Sequence, residues 1–209
     1  MPAKPLPIKK NTIREQLSTL SDASVLIIGS SALKESLVRD LSQSGASKIA
    51  FLDTNNSKQP WTLANVEKSV RQAHIVIDAL SDWQKKLALS DICMDCETVL
   101  VHCGITGFRF QIYTMLPGRS ACLRCALPVA GIDEVPLQPA EEEIMGAVVE
   151  LAAAWQSLEA IKYLSKIGVV QGNELFKFDC LSGELEIFRG LDADPDCPDC
   201  GRKFKRQYR

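Results

Sequence analysis

Apolar and polar positions in the first part of the chain predict a strand–helix–strand order. Residues 24–29 form a continuous apolar run that ends in glycine, which is typical of a buried parallel strand. Residues 32–44 follow with apolar side chains at helical spacing, and Gly45 suits the C-terminal cap of such a helix. Residues 48–53 then predict a second strand that closes on an acidic residue. This length suits a β-α-β unit with a right-handed crossover.

The same alternation continues to residue 103. A short helix is predicted over residues 62–72, a strand over 74–78, a helix over 83–95 and a strand over 98–103. Strands that alternate with helices predict an α/β, Rossmann-like fold with a mostly parallel, doubly wound sheet.

Beyond Gly104 the pattern changes to one typical of antiparallel strands. Residues 109–116 alternate in polarity, and residues 175–179 and 184–189 predict a hairpin around a Ser-Gly turn. Between them, residues 141–166 predict a long helix whose apolar stripe runs through Ile144, Val148, Leu151, Trp155, Leu158 and Ile161. This helix has more apolar surface than one sheet face needs, which favours a dimer.

Composition narrows the function classes. Lys plus Arg number 24 against 26 for Asp plus Glu, and this balance argues against a dedicated nucleic-acid binder, which needs a basic face. The apolar stretch of residues 144–161 is interrupted by Glu150, Gln156 and Glu159, so no segment is predicted to span a membrane. The N-terminal Met-Pro-Ala-Lys-Pro segment has no apolar signal core, so we expect a cytoplasmic protein.

Eight cysteines are many for a cytoplasmic chain of this size, and their spacing singles out two pairs. Cys122 with Cys125, and Cys197 with Cys200, are C-x-x-C pairs in segments that carry proline or glycine. Two such turns present four thiolates to one tetrahedral zinc ion and leave no position open to substrate. We therefore predict a structural zinc site. The alternative is four unremarkable thiols.

The other four cysteines are expected to pack in the core. Cys93 and Cys96 form a third C-x-x-C pair, but this pair lies in a segment with helical spacing. Cys103 and Cys180 fall at predicted strands. Free cysteine is among the most buried residue types, so a structural role is favoured over a catalytic one.

Taken in order, these parts resemble the ThiF/MoeB/HesA family, the bacterial relatives of ubiquitin-activating enzymes. The resemblance extends over residues 24–201. It rests on the β-α-β opening, the acidic strand end, the paired aspartates after the next strand, the two cysteine pairs and a terminal Cys-Pro-Asp-Cys-Gly. The segment of residues 157–164 in the long helix, and Phe-Gln-Ile-Tyr and Leu-Pro-Gly before the first cysteine pair, also fit.

The resemblance implies an activity and a set of site residues. Members of this family bind ATP with magnesium and adenylate a carboxylate, usually the C-terminal glycine of a ubiquitin-like sulfur carrier. By this resemblance, Asp53 holds the ribose hydroxyls and Asp82 is the catalytic acid that positions magnesium. The phosphates then lie over Gly29, Ser30 and Ser31, where backbone N–H groups at a helix N-terminus point at them.

Several positions depart from the family pattern. Gly29 is the one glycine left of the G-x-G-x-x-G turn, because Ser31 and Lys34 occupy later glycine positions. A plain strand-to-helix connection is therefore the alternative to a phosphate site. Asp82, and Asp78 at the strand end before it, have the alternative role of helix caps.

The cations and the thioester cysteine of the family are also missing. No Arg-Gln pair follows Asp53, and the segment up to Asp78 is too short for another strand with its own helix, so we expect one family strand to be absent. Lys85 or Lys86 is a candidate replacement cation, although we favour a solvated helix face for both. The loop of residues 126–143 contains no cysteine, so thioester transfer from it is not available. The acidic side chains of this loop favour a solvated segment over a partner-binding lid.

The expected organisation is an N-terminal arm with a short helix over residues 1–22 and a single ThiF-like domain over residues 23–209. In this domain, residues 23–104 form the nucleotide-binding type of half, and residues 105–209 form the antiparallel half with the zinc site.

Two function hypotheses follow. The first is an enzyme that uses ATP to adenylate the C-terminus of a ubiquitin-like carrier or a small cofactor precursor. The second is a binding module that retains the fold and the zinc but not catalysis, and that serves as an inactive partner subunit. The resemblance implies pairing in either case, as a homodimer or as a heterodimer with a related subunit.

Overall fold

A seven-stranded sheet organises the computed structural model, which describes residues 15–29, 32–54, 61–129 and 144–201. The strands are β1 Ser24–Ile28, β2 Lys48–Leu52, β3 Ile75–Asp78, β4 Val99–Thr106, β5 Arg109–Met115, β6 Glu174–Asp179 and β7 Glu184–Arg189. The helices are α1 Leu33–Gln43, α2 Leu63–Val70, α3 Trp83–Asp95, α4 Leu123–Val129 and α5 Gly146–Ser165. A helical turn over residues 15–18 and a 3-10 turn, Thr19–Ser21, precede β1. Of the N-terminal arm and short helix expected over residues 1–22, residues 1–14 lie outside the described residues.

The sheet is parallel in its first half and antiparallel in its second. Its spatial order is β2-β1-β3-β4-β5-β6-β7, with parallel pairing from β2 through β4 and antiparallel pairing from β4 to β7. This confirms a Rossmann-like α/β fold with an antiparallel C-terminal portion. The described residues between β2 and β3 hold one helix and no strand, so β2 is an edge strand, in line with the missing family strand.

Helices cover both faces of the sheet and enclose two cores. Helices α1 and α5 pack on one face with Val25 and Ile27 of β1. Helices α2, α3 and α4 pack on the other face with Leu26 and Ile28. The alternation of side chains along β1 thus supplies both cores, as a strand buried on two faces requires. Among the described residues, no helix has the length and apolar character needed to cross a membrane.

The long helix buries only part of the predicted stripe: Val148 is buried, and Trp155 and Ile161 pack against the core. Helix α5 begins at Gly146, because Met145 is extended, so Ile144 lies outside it. Leu151 and Leu158 of the predicted stripe are 45% and 53% exposed. The buried face instead carries mostly small and polar side chains: Val148, Val149, Ala152, Ala153, Gln156, Ser157, Glu159 and Ala160. Small side chains allow the helix to approach the sheet closely, and Gln156 donates hydrogen bonds to backbone carbonyls of Asp78 and Val101.

Gly29 lies where the end of β1 meets the chain that leaves β3. Its φ is +137°, and a Cβ at this position would stand 2.0 Å from the carbonyl oxygen of Ala79. Its N–H donates to the carbonyl of Leu52, which ties the ends of β1 and β2 together. A side chain is therefore excluded here by backbone packing alone.

Replacing Gly29 with alanine should lower the free energy of unfolding by about 2–4 kcal/mol, because both the strained φ and the backbone contact must be relieved. Gly183→Ala is the matched control, since its φ is +74° but no atom lies within 4 Å of the added Cβ. That control should cost about 1 kcal/mol. Denaturant unfolding of both variants measures the difference, and equal losses would contradict the importance of the close contact.

Candidate functional site

A cavity of about 350 Å³ opens at the carboxyl end of β3 and β4, between α1 and α5. The first turns of both helices contribute to its wall, together with the residues that follow β3 and the turn after β4. Ligands of open α/β sheets bind outside the carboxyl ends of the parallel strands. Helix N-termini carry partial positive charge, so this cavity suits an anionic ligand.

Asp78, at the end of β3, is fully buried behind this cavity. Its Oδ2 accepts hydrogen bonds from Lys86 Nζ at 2.9 Å and from His102 Nδ1 at 2.7 Å, and its Oδ1 accepts from the backbone N–H of Leu80 at 2.9 Å. Burial alone would raise the pKa of Asp78, but the Lys86 charge and the His102 hydrogen bond outweigh it and lower that pKa. Asp78 is therefore a carboxylate in the folded protein.

His102, on β4, completes a chain of buried hydrogen bonds. Burial lowers the pKa of His102 below its ordinary value, so the imidazole is neutral near pH 7. The carboxylate of Asp78 accepts but cannot donate, which assigns the proton to Nδ1 and leaves Nε2 to accept from Gln111 Nε2 at 3.3 Å. The ring also packs against Trp83, with the ring centroids 5.5 Å apart.

The expectation that Lys86 lies on a solvated helix face is wrong. Lys86 is 2% exposed, and its Nζ donates to Asp78 and, at 2.6 Å, to the carbonyl of Cys103. The signal was present in the sequence, because Lys86 shares its face of α3 with Leu89 and Cys93 at helical spacing. Lys85, by contrast, keeps a side chain 30% exposed.

The residues predicted to bind nucleotide are only partly gathered at this edge. Gly29 and Asp53 follow β1 and β2, which end side by side, and Asp53 is partly buried. Ser30 and Ser31 lie outside the described residues. The cavity wall includes the two neighbours of Asp82, Ser81 and Trp83, but neither Asp53 nor Asp82 itself.

Asp82 caps the N-terminus of α3. Its Oδ1 accepts from the backbone N–H of Gln84 at 2.8 Å and from that of Lys85 at 3.2 Å. Its Oδ2 lies 4.0 Å from Lys85 Nζ and takes no part in the cap. The capping role considered from the sequence is therefore present, and one carboxylate oxygen remains beyond it.

The four cysteines predicted as metal ligands converge. The sulfur atoms of Cys122, Cys125, Cys197 and Cys200 all lie within 4.8 Å of one another, with Cys122 to Cys197 at 3.7 Å and Cys125 to Cys200 at 3.6 Å. A tetrahedral ion with metal–sulfur bonds of about 2.3 Å sets sulfur atoms about 3.8 Å apart. Four cysteine sulfurs at this spacing are the donor set that tetrahedral metal sites use. The donor set therefore fits a metal ion.

Side chains around the cysteine cluster hold its two turns in place. Arg124, inside the first C-x-x-C, pairs with Asp91 of α3 at 2.7 Å and approaches Asp199, inside the second, to 3.9 Å. Ser90 accepts from the N–H of Leu123 at 3.1 Å. Both turns are thus anchored to α3 independently of an ion.

The remaining cysteines behave as core thiols. Cys93 and Cys103 are buried, and burial raises the pKa of Cys93 well above its ordinary value and that of Cys103 to about 12. Cys96 and Cys180 are partly buried, at the ends of α3 and β6. A thiol that stays protonated at neutral pH is a poor nucleophile, in line with the expected structural role.

Stability should fall on mild acidification because of His102. The unfolded chain protonates this histidine below about pH 6.5, whereas the folded protein, with its lowered pKa, does not. The free energy of unfolding should therefore decrease as pH falls from about 6.5 to 5, by up to about 1.4 kcal/mol per pH unit. His102→Gln should flatten this slope. Denaturant unfolding of the wild type and of His102→Gln at several pH values measures it, and an unchanged slope in the variant would refute the assignment.

Cys122→Ser should remove the metal ion and lower thermal stability sharply, since structural sites of this type contribute about 10 kcal/mol of apparent binding free energy. Cys180→Ser, outside the cluster, should leave both properties close to wild type. Elemental analysis of protein purified without chelator, together with thermal unfolding, measures both. Wild-type protein that holds well under one ion per chain would contradict the metal site.

A family model built from known proteins matches most of this chain. The model of the ThiF family matches residues 54–199. The matched stretch includes Asp78, Asp82 and the first cysteine pair. Gly29 and Asp53 precede it, as do Ser31 and Lys34, so the altered glycine turn lies outside the match.

Curated relatives are similar over most of this chain but are longer. The adenylyltransferase and sulfurtransferase MOCS3 of Bos taurus is 28% identical over 145 residues, which cover 69% of this chain and 32% of the relative. Protein HesA of Leptolyngbya boryana is 28% identical over 138 residues, which cover 66% of this chain and 48% of the relative. The chain therefore spans about a third to a half of the length of these relatives.

Solved structures share the fold. A crystal structure of E. coli MccB with AMPCPP and MccA superimposes with a TM-score of 0.70 at 14% identity, covering 89% of this chain and 69% of that one. A heterocyclase in complex with substrate and cofactor gives 0.67 at 13% identity, covering 93% and 26%. The family model covers well over half of the chain, and the sheet and cysteine cluster agree with it. This chain belongs to the ThiF family.

Proposed function

We propose that this chain binds ATP with magnesium at the carboxyl edge of its parallel strands and adenylates a carboxylate. The observation that carries the proposal is the cavity at this edge, bordered by the N-terminal turn of α1, in a chain of the ThiF family. A relative named as an adenylyltransferase and a neighbour solved with AMPCPP support it.

The residues at this edge supply the contacts that such a ligand needs. Bound ATP would supply an α-phosphate that the substrate carboxylate attacks, with pyrophosphate as the leaving group. The first N–H groups of α1 would face the phosphates. Asp53 would accept hydrogen bonds from the ribose hydroxyls, and Asp82 would turn its Oδ2 toward the magnesium ion.

The finer features of the proposal concern ligands and partners. The four-sulfur cluster suits zinc, which favours tetrahedral thiolate sites. The carboxylate would belong to the C-terminus of a ubiquitin-like carrier or to a small cofactor precursor. Leu151 and Leu158 lie two turns apart on the exposed side of α5, and this apolar strip supports pairing with a second copy or a related subunit. A chain with eight cysteines, four of them in a metal-type cluster, suits a reducing compartment such as the cytoplasm.

A catalytically degenerate binding module is the second candidate. It is favoured by Asp82, whose carboxylate already caps α3, and by Lys34, whose Nζ lies 4.7 Å from the ring centroid of Phe51. Both side chains thus have structural partners at positions that correspond to the ATP site of the family.

Calorimetric titration with ATP and magnesium separates the two candidates. We expect binding in the micromolar range, and Asp82→Ser should weaken it at least about tenfold. Serine caps a helix as well as aspartate does, so this variant should retain stability within about 0.5 kcal/mol while it loses the carboxylate. Binding of ATP without magnesium should be unchanged.

Two results would overturn parts of this proposal. If Asp82→Ser binds ATP with magnesium as the wild type does, Asp82 is a cap and nothing more. If the wild type gives no heat at millimolar ATP, adenylation is refuted and the binding module is the remaining function.

A further inference from the structure

Of the buried ion pair behind the cavity, only the lysine belongs to the cavity wall. Lys86 lines the cavity together with Trp83 and Cys103. Asp78 and His102 are fully buried and are not part of that wall. The Lys86 side chain is itself only 3% exposed, so a ligand in the cavity would contact the lysine of the pair and not the aspartate.

The ammonium of Lys86 has hydrogen-bonding capacity to spare. It carries three N–H donors, of which one is directed to Asp78 and one to the carbonyl of Cys103. The ring of Trp83, with its centroid 5.7 Å from Nζ, covers one side of the group. One donor is left for an acceptor in the cavity.

The wall has three other charged side chains, Glu35, Arg39 and Glu150, and none of them is a buried cation. Glu35 is exposed, so water and salt screen its repulsion of an anion. Arg39 pairs with Glu150 at the rim, where both side chains are about half exposed, and Ser36 donates to the same carboxylate. Charge–charge attraction is weak in such hydrated surroundings and stronger at a buried site. Lys86 is therefore the cation best placed to attract an anion within this cavity.

We propose that Lys86 binds a phosphate oxygen of a nucleoside triphosphate in the cavity and thereby replaces the cation missing after Asp53. This inference rests on the proposed function, but it assigns a role to a residue of α3 that the proposed function does not use. The hydrogen bonds to Asp78 and to the carbonyl of Cys103 fix the position of Lys86 Nζ, so the donor is in place before the ligand arrives.

The test uses a variant that removes the cation without leaving a buried charge unpaired. Lys86→Met alone would leave the Asp78 carboxylate unpaired in the core. It is therefore combined with Asp78→Asn, and the two substitutions together keep the net charge of the protein unchanged. If that pair does not fold, Asp78→Asn with Lys86→Gln retains a hydrogen bond at the same place. Lys68→Met is the control, because Lys68 is an exposed lysine of α2 and lies outside the cavity wall.

Three probes are titrated calorimetrically: ATP with magnesium, inorganic triphosphate and adenosine. The paired variant should bind ATP and triphosphate at least about tenfold more weakly, since hydrogen bonds to charged groups are the strong ones. Its affinity for adenosine should not change, and Lys68→Met should bind all three as the wild type does. A merely structural role for Lys86 would lower all three affinities together.

The outcomes distinguish this inference from the proposed function. If the folded paired variant binds ATP and triphosphate as the wild type does, the role of Lys86 is refuted and adenylation still stands. If the wild type binds triphosphate but neither ATP nor adenosine, and the paired variant loses it, Lys86 is an anion site and the adenylation proposal fails. A wild type that binds no probe refutes both.

Discussion

The rest of the structure around the cavity depends on a carboxylate that water cannot reach. Asp78 ends β3 with no exposed surface, and an unpartnered charge at such a site costs several kcal/mol. Its side chain accepts hydrogen bonds from Lys86 of α3 and His102 of β4, and its backbone carbonyl accepts one from Gln156 of α5. Three elements must therefore meet at one point, and they form much of the cavity wall.

The cysteine cluster serves a separate purpose on the other face of the sheet. Its cysteines pack in the core with α3 and α4, whereas the cavity opens between α1 and α5. Arg124 joins the two cysteine turns to each other and to α3. The cluster thus anchors the C-terminal segment, and loss of its ion should act on folding rather than directly on ligand binding.

The sequence predicted the features that depend on local spacing. The order of strands and helices followed from apolar residues at strand spacing or at helical spacing, and the cysteine turns followed from two C-x-x-C pairs. Each of these patterns involves residues that are only a few positions apart in the sequence. The buried face of α5 could not be predicted from the helix sequence. Ala152 and Gln156 face the sheet because of their size and hydrogen bonding, and both depend on the neighbouring strands. The partnership of Asp78, Lys86 and His102 was missed for the same reason, since it joins residues from three elements.

Gly29, the one glycine retained after β1, has a structural explanation. Gly29 is required by backbone atoms of Ala79, so the fold itself demands it whether or not a nucleotide binds. The later glycines of the family turn serve close approach to phosphate, and those are the positions that carry Ser31 and Lys34 here. Retention of Gly29 is therefore no argument for phosphate binding, and loss of the others removes backbone contacts from the ligand. A phosphate in this cavity must then gain its stabilisation from side chains, and the buried ammonium of Lys86 is where the fold provides a fixed positive charge.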